Sequence, residues 1–257
     1  MIKFAFQWYL KFLAKAIIKK FRPQVIAICG SSNKSTAVAS IVNVLKPQIG
    51  IAASLRNYNA EIGVPLSILQ IQPEGATKIE RWSRIAIKAL RQIFKLKEYP
   101  KILLLEFGMH TPQDAENLLR IIVPDICIFT NLQPSIIAND DKSDQYYKTF
   151  SYFLKKLPKK TILITNGDDP HLEQLRAEFP ENTVRFGQDL SAAWRLANLS
   201  DTESGQQFNV VHDDENYPLH INEFGIHHIY ITAMIFSLAS ILKLDLKAVH
   251  KKINAKY

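Results

Sequence analysis

Val25-Ile26-Ala27-Ile28-Cys29-Gly30-Ser31-Ser32-Asn33-Lys34-Ser35-Thr36 is the stretch that decides the fold. Val25 to Cys29 are five consecutive apolar residues, the pattern of a strand buried on both faces. Gly30 to Asn33 form a short loop of small residues, and Lys34-Ser35-Thr36 open a helical pattern that runs to residue 46. Strand, small loop and helix start, in that order, build a phosphate-binding loop. Backbone N–H groups at the helix N-terminus face the phosphates, a lysine reaches the terminal ones, and a hydroxyl ligates Mg²⁺. The position before the lysine is normally glycine in such loops; here it is Asn33. An ordinary strand-to-helix turn has the same outline, so the neighbouring segments must decide between the two.

Working outward, apolar strand patterns at 101–106, 125–130, 161–165 and 183–186 alternate with helical patterns at 34–46, 112–122, 143–157 and 170–178. This alternation predicts an α/β fold of the P-loop type, a mostly parallel sheet flanked by helices. Right-handed crossovers then bring the ends of strands 25–29, 101–106 and 125–130 to one edge, where ligands bind. Residues 192–221 read as short strands and turns, a small antiparallel addition, and 227–242 and 245–254 as two closing helices. At the ligand edge Glu106 ends the run Ile102-Leu103-Leu104-Leu105, where a carboxylate could hold Mg²⁺ beside phosphates. Thr130-Asn131 follows the next apolar strand at the same edge. Asn166-Gly167-Asp168-Asp169-Pro170 follows the fourth, and is by itself a good turn and helix start.

The 257 residues suffice for one large α/β domain or two small ones. Two cysteines without metal-type spacing point to a reducing compartment and exclude a disulfide framework; Cys29 and Cys127 both fall in apolar strand patterns. Neither a signal-peptide cleavage site nor an uncharged run long enough to span a bilayer is visible. The net charge of +8 is local. Residues 1–23 carry six basic and no acidic residues, and 81–97 (Arg81, Arg84, Lys88, Arg91, Lys95, Lys97) carry six more, so the remainder is acidic by 4. Such a distribution does not mark a nucleic-acid-binding surface. Residues 2–21 read as an amphipathic helix that Pro23 ends. Lys3, Gln7, Lys11, Lys15 and Lys19 make a polar stripe among Phe4, Phe6, Trp8, Tyr9, Phe12 and their aliphatic neighbours. This suits either a membrane interface or a helix packed on the domain with its lysines in water. Residues 82–96 read as a second basic amphipathic helix that could share the same surface, or as a crossover helix with a solvated basic face.

The order of the pieces resembles the central ATP-binding domain of the Mur ligases, most like the branch that joins D-alanyl-D-alanine to the UDP-muramoyl-tripeptide in peptidoglycan synthesis. The resemblance is carried by Gly30–Thr36, Asn57-Tyr58-Asn59-Ala60-Glu61-Ile62-Gly63-Val64-Pro65, Leu105-Glu106-Phe107-Gly108, Val123-Pro124-Asp125, Thr130-Asn131, Asn166–His171, Phe186-Gly187 and Gly225-Ile226-His227-His228. It spans about residues 24–257, with 1–23 as a separate basic helix. It implies ATP and Mg²⁺ as cofactors and an acyl-phosphate route to an amide. It implies that Gly30, Ser31, Ser32, Asn33, Lys34 and Thr36 hold phosphates, and that Ser35 and Glu106 serve Mg²⁺. Asn166, Asp169 and His228 would lie near base and ribose and Asn131 near the metals, with Asn57, Asn59 and Glu61 belonging to the same site. A cytoplasmic location follows, at the inner face of the membrane if the first helix touches it.

Departures from the family pattern bear on activity. Asn33 replaces the loop glycine, and Ala60 the second Asn of an Asn-Asn-Glu run. Ile136 stands where the family has a metal-binding histidine, and Phe150 where it has a lysine that is carbamylated in the active form; Lys148 is on another helix face. The family's N-terminal sugar domain and C-terminal domain have no counterpart in this sequence. Three readings follow. The first is a nucleotide-binding Mur-type domain with impaired or lost ligase chemistry, acting as a pseudoenzyme or partner subunit. The second is an active ATP-dependent amide ligase completed by a separate C-terminal domain and taking a UDP-muramoyl-peptide. The third is a membrane-surface scaffold that binds no nucleotide. Lys34, Ser35, Glu106 and Asp169 weigh against the third; Ala60, Ile136 and Phe150 weigh against the second.

Overall fold

In the computed structural model, residues 2–54, 60–72, 78–132 and 140–255 are described, without the side chains of 2–4, 60–61, 78–82, 93, 95 and 140–144. A nine-stranded sheet runs through the molecule in the order β2-β3-β1-β4-β5-β6-β7-β8-β9. The strands are β1 (Gln24–Cys29), β2 (Ile51–Ala53), β3 (Ile102–Glu106), β4 (Ile126–Phe129), β5 (Ile162–Asn166), β6 (Thr183–Gly187), β7 (Trp194–Thr202), β8 (Gly205–His212) and β9 (Glu215–Ile221). The pairings from β2 to β7 are parallel, and β7-β8-β9 are antiparallel. The antiparallel part therefore extends the main sheet.

The two-residue period of a strand explains the layers. Val25, Ala27, Cys29, Leu103, Leu105, Cys127 and Phe129 point to one face. There they meet α1 (Ile2–Phe21), α3 (Ala60–Ile68), α4 (Lys78–Lys95), α5 (Pro112–Leu119) and α6 (Asp140–Lys156). Ile26, Ile28, Ile102, Leu104, Ile126 and Ile128 point to the other face, which is covered by α2 (Lys34–Leu45), α8 (Ile226–Ile241) and α9 (Leu246–Asn254). Both faces are dry, which is why the parallel strands read as unbroken apolar runs. Cys29 and Cys127 are free and buried.

The expected elements are present with small shifts. The helix expected over 170–178 divides into α7 (Pro170–Glu173) and a 3-10 turn at Arg176–Glu178. Leu175 leaves helical geometry at φ −90°, ψ 3°, and the chain then turns out toward Pro180. The helix expected over 112–122 stops at Leu119, with a capping box between Thr111 and Asp114 at its start and Pro112 in its first turn. Two elements were not anticipated, β2 and α3. The first is three residues long, and the second carries Pro65 in its interior.

Helix α1 is part of this fold. Leu10, Leu13, Ala14 and Ile17 belong to the same core as β1 and β3. Tyr9 Oη donates to Ala86 O at 3.0 Å, and Lys20 Nζ to Leu96 O at 2.9 Å. Both partners advance together along the chain, so α1 and α4 lie side by side and parallel. No described helix is long and apolar enough to cross a membrane.

Candidate functional site

The site is built where β1, β3, β4 and β5 end together. Gly30 leaves β1 at φ +132°, and a Cβ placed there would strike the Thr130 hydroxyl and come within 2.7 Å of Asn131 O. Only glycine allows the loops after β1 and β4 to approach this closely. Hydrogen bonds also join the loops. Ser31 N donates to Asn131 O (2.9 Å), Ser32 N to Asn131 Oδ1 (3.1 Å), Asn131 Nδ2 to Ser32 Oγ (2.8 Å) and Thr130 Oγ1 to Ser32 O (2.7 Å). Asn131 thus holds the Gly30–Asn33 loop in shape. Gly30→Ala is expected to lower stability by about 2 kcal/mol or more, since backbone strain and a buried overlap add; a urea unfolding curve measures it.

Asn33 occupies the left-handed region at φ 60°, ψ 8°, and its side chain makes no capping bond to α2. Asparagine is one of the few side-chain-bearing residues that visit this region readily, which is how the loop keeps its shape without the usual glycine. The first-turn N–H groups of α2 are left facing outward with the positive end of the helix dipole, an arrangement that attracts anions. Lys34 Nζ donates to Gly30 O at 2.7 Å and to Ser31 O at 3.2 Å, so the ammonium lies over the same loop. Burial pushes the Lys34 ammonium below its ordinary pKa, with Glu106 and Cys29 opposing. Ser35 Oγ donates to Glu106 Oε2 at 2.8 Å. Two oxygen donors meeting beside a helix N-terminus fit Mg²⁺, which is held by one or two protein oxygens when phosphates and waters complete its shell. Among the described residues no group of three His, Cys, Asp or Glu could hold a metal ion without such help.

Asp169 has a structural role on the β5 side. It caps α7 by accepting from His171 N and Leu172 N, and its other oxygen accepts from Leu132 N at 2.7 Å. Asn166 Oδ1 accepts from Asp168 N at 3.0 Å. Asp168 accepts from Gln188 N, Asp189 N and Tyr230 Oη. Burial, and with it the Asp168 and Asp169 carboxylates, pushes the Tyr230 phenol up to about 12 against the opposing Gln188 contact, so it stays a donor.

These loops and the start of α8 enclose a cleft of about 350 Å³. Ser32, Asn33, Asn131, Asn166 and Asp169 all line it, together with His227, Tyr230 and Met234. His228 does not. Its Nδ1 is 3.3 Å from Glu223 Oε2, and it lines a separate small cavity with Asn43 and Thr232. His227 takes the cleft position, in space that Gly225 leaves free: at φ +107°, a Cβ there would come within 2.8 Å of the His227 ring. His227, Tyr230 and Met234 fall on one helical stripe, a signal present in the sequence. Asn57, Asn59 and Ile136 lie outside the described residues, as does the side chain of Glu61. Phe150 is fully buried in α6, with its ring centroid 5.4 Å from that of Phe129 and stacked on Tyr146 at 6.4 Å.

This sheet order, with its loops and cleft gathered at one end of the parallel strands, defines a doubly covered α/β domain. The chain belongs to the Mur ligase family, matching the Mur ligase middle domain over residues 83–237. It is 24% identical over 201 residues to UDP-N-acetylmuramoyl-tripeptide–D-alanyl-D-alanine ligase of Bacillus subtilis, covering 78% of this chain and 38% of that protein. It is 20% identical over 223 residues to the ligase of the same name from Haemophilus influenzae, covering 84% and 42%. Among solved structures, MurF from Acinetobacter baumannii superposes with a TM-score of 0.75 at 15% identity, over 96% of this chain and 49% of that one. MurF ligase from Thermotoga maritima in complex with ADP gives 0.70 at 20% identity, over 94% and 51%. The chain thus spans about two fifths of the length of these curated relatives and about half of the solved chains.

Proposed function

We propose that this chain binds ATP with Mg²⁺ as a Mur-type middle domain, and that its own ligase chemistry is impaired or lost. The observation that carries the nucleotide reading is the convergence of Lys34, the α2 N-terminus and the Ser35–Glu106 pair at one end of the sheet, beside the cleft. The phosphates lie along Gly30–Thr36. Lys34 leaves its loop carbonyls to meet them, and Ser35 and Glu106 hold Mg²⁺, which when bound neutralises phosphate charge. The base enters the cleft between Pro170 and the α8 residues Ile231 and Met234, with His227, Tyr230 and Asn166 as polar neighbours. Asp169 contributes by fixing the loops after β4 and β5, and His228 by anchoring the start of α8 to Glu223. The relative from Thermotoga maritima is a complex with ADP, which supports nucleotide binding by a chain of this fold.

The loss of ligase chemistry rests on Phe150. The family resemblance puts a carbamylated lysine there, and this chain has a buried aromatic ring. The domain would then serve as a partner subunit in peptidoglycan-precursor synthesis, on the cytoplasmic side, where its unpaired cysteines are stable. The retained Lys34, Ser35 and Glu106 favour a second reading, an active amide ligase completed by a separate domain and acting on a UDP-muramoyl-peptide.

Calorimetric titration with ATP and Mg²⁺ tests the first part, and phosphate release with UDP-muramoyl-tripeptide, D-alanyl-D-alanine and a Mur ligase C-terminal domain supplied in trans separates the readings. Saturable binding with no phosphate above the blank is the expected result. Turnover would establish the second reading, and no heat of binding at all would leave a scaffold. Asn33→Gly is expected to tighten ATP binding about threefold to tenfold, because it removes a side chain from the phosphate approach and keeps the left-handed backbone. Asn33→Ala puts a Cβ-bearing residue with no local hydrogen-bonding group at φ 60° and is expected to cost about 1 kcal/mol of stability.

A further inference from the structure

The parallel pair α1 and α4 makes a surface that the nucleotide site does not use. Five of the ten exposed large apolar side chains among the described residues lie on these two helices: Trp8, Phe12, Ile87, Leu90 and Phe94. Trp8 is 65% exposed and stacks on Phe12, and Phe94 is 79% exposed. Helical spacing puts Ile87, Leu90 and Phe94 on one stripe of α4, opposite its buried Ile85 and Ala89. The same spacing puts Trp8 and Phe12 opposite the buried Leu10, Leu13, Ala14 and Ile17 of α1. The Tyr9–Ala86 and Lys20–Leu96 bonds set the two stripes level with each other, as one aromatic ridge. Lys15 and Lys19 continue the Trp8–Phe12 line toward the C-terminal end of α1, and Arg84 and Arg91 border the stripe on α4, all exposed. Beside the last turns of α1 an open groove of about 810 Å³ carries Lys15, Lys19, Arg22 and Arg120, with one acid, Asp125.

Charge decides what covers this ridge. Residues 1–23 and 81–97 together carry twelve basic and no acidic residues, while the rest of the chain is acidic by 4. A protein interface core is depleted in lysine. Exposed aromatic rings bordered by flexible cations, by contrast, match the boundary between acyl chains and anionic headgroups. We infer that the α1–α4 face docks in the plane of a membrane rich in anionic phospholipid. Trp8, Phe12, Leu90 and Phe94 enter the acyl boundary, while Lys15, Lys19, Arg84 and Arg91 pair with headgroup phosphates. The cleft is formed with α8, on the other face of the sheet, so a docked molecule keeps it open to solution. This inference is independent of the nucleotide reading.

The test is co-sedimentation of the full chain with vesicles of phosphatidylglycerol and phosphatidylcholine, and with phosphatidylcholine alone. Two variants accompany it, Trp8→Gln/Phe12→Gln/Phe94→Gln and Lys11→Gln/Lys15→Gln/Lys19→Gln. All six positions are at least partly exposed, and circular dichroism and a thermal melt verify that both variants fold. The expected result is binding to the anionic vesicles only, weakened at about 0.5 M salt. Each triple variant is expected to lower it about 100-fold. The inference is overturned if the wild-type chain stays in the supernatant with anionic vesicles, or if both variants bind as the wild type does. It is equally overturned if the chain forms a lipid-free dimer that the aromatic variant dissolves, since a second copy would then cover the ridge.

Discussion

Phe150→Ala is expected to lower the unfolding free energy by about 3–5 kcal/mol, the usual cost of emptying a buried aromatic site. The ring is wholly buried and packs edge-on against Phe129 and face-on against Tyr146. Phe129 ends β4 in the same core, so the cavity would open directly under the strand that carries Thr130 and Asn131. Phe150→Lys should be worse still. An ammonium among aromatic rings either gives up its proton or forces the helix away, and both cost more than a void. Lys148→Ala, two residues earlier and exposed, should stay within about 0.5 kcal/mol of wild type. Urea denaturation of the three variants checks the order. The functional consequence is the reason to make them. The resemblance equates position 150 with a carbamylated lysine, so the direct way to restore a ligase site is to put the lysine back. In this fold that position is part of the hydrophobic core, and its neighbours have been fitted to a ring. A Phe150→Lys chain that kept wild-type stability would refute this packing argument, and phosphate release by the wild-type chain, with Phe150 in place, would refute the impaired-ligase reading.

The central sheet was legible because its strands are buried on both faces. Val25–Cys29 and Ile102–Leu105 read as unbroken apolar runs, and the structure pairs them residue for residue, Val25 with Leu103 and Ala27 with Leu105. β2 is three residues, too short for any period, and is defined only by its pairing with β3. α3 has Gly63 and Pro65 within it, residues that ordinarily weaken or end a helix, so no helical pattern stood out there, yet Pro65 lies inside the helix. For α1 the pattern left two settings open, and burial of Leu10, Leu13, Ala14 and Ile17 answers only for one side of the helix. In the site, Gly30–Thr36 and Glu106 stood out because polar or small residues end apolar runs. The roles of Asn131 and Asp169 in bonding neighbouring loops did not, since those bonds join residues 37 or about 100 positions apart. His227 and His228 differ by 100° around one helix. Sequence names both and cannot say which faces the cleft until Gly225 sets the entry angle.

Lys34→Ala is expected to weaken ATP–Mg²⁺ binding at least about 100-fold, because truncating one side of a close charge pair leaves the phosphates facing helix dipole alone. The variant also tests whether the lysine serves the ligand or the loop. Its ammonium already donates to Gly30 O and Ser31 O, so a purely structural role is physically reasonable. The pKa direction separates the two. Burial holds the folded-state pKa below the ordinary 10.5, so the charged form is disfavoured by folding. That cost is present in full at neutral pH. It disappears as pH rises from the lowered folded value to the unfolded one, so stability increases across that alkaline window. Removing the charge should flatten this rise, and Lys34→Met, which keeps the aliphatic stem, should leave the ligand-free protein at neutral pH at least as stable as wild type. A lysine kept for the loop would show the reverse, with stability falling in both variants. Affinity lost while stability is kept identifies a charge held against the fold's preference for the sake of a ligand. Unchanged affinity in Lys34→Ala would remove Lys34 from the phosphate site, and with it the observation on which the nucleotide proposal stands.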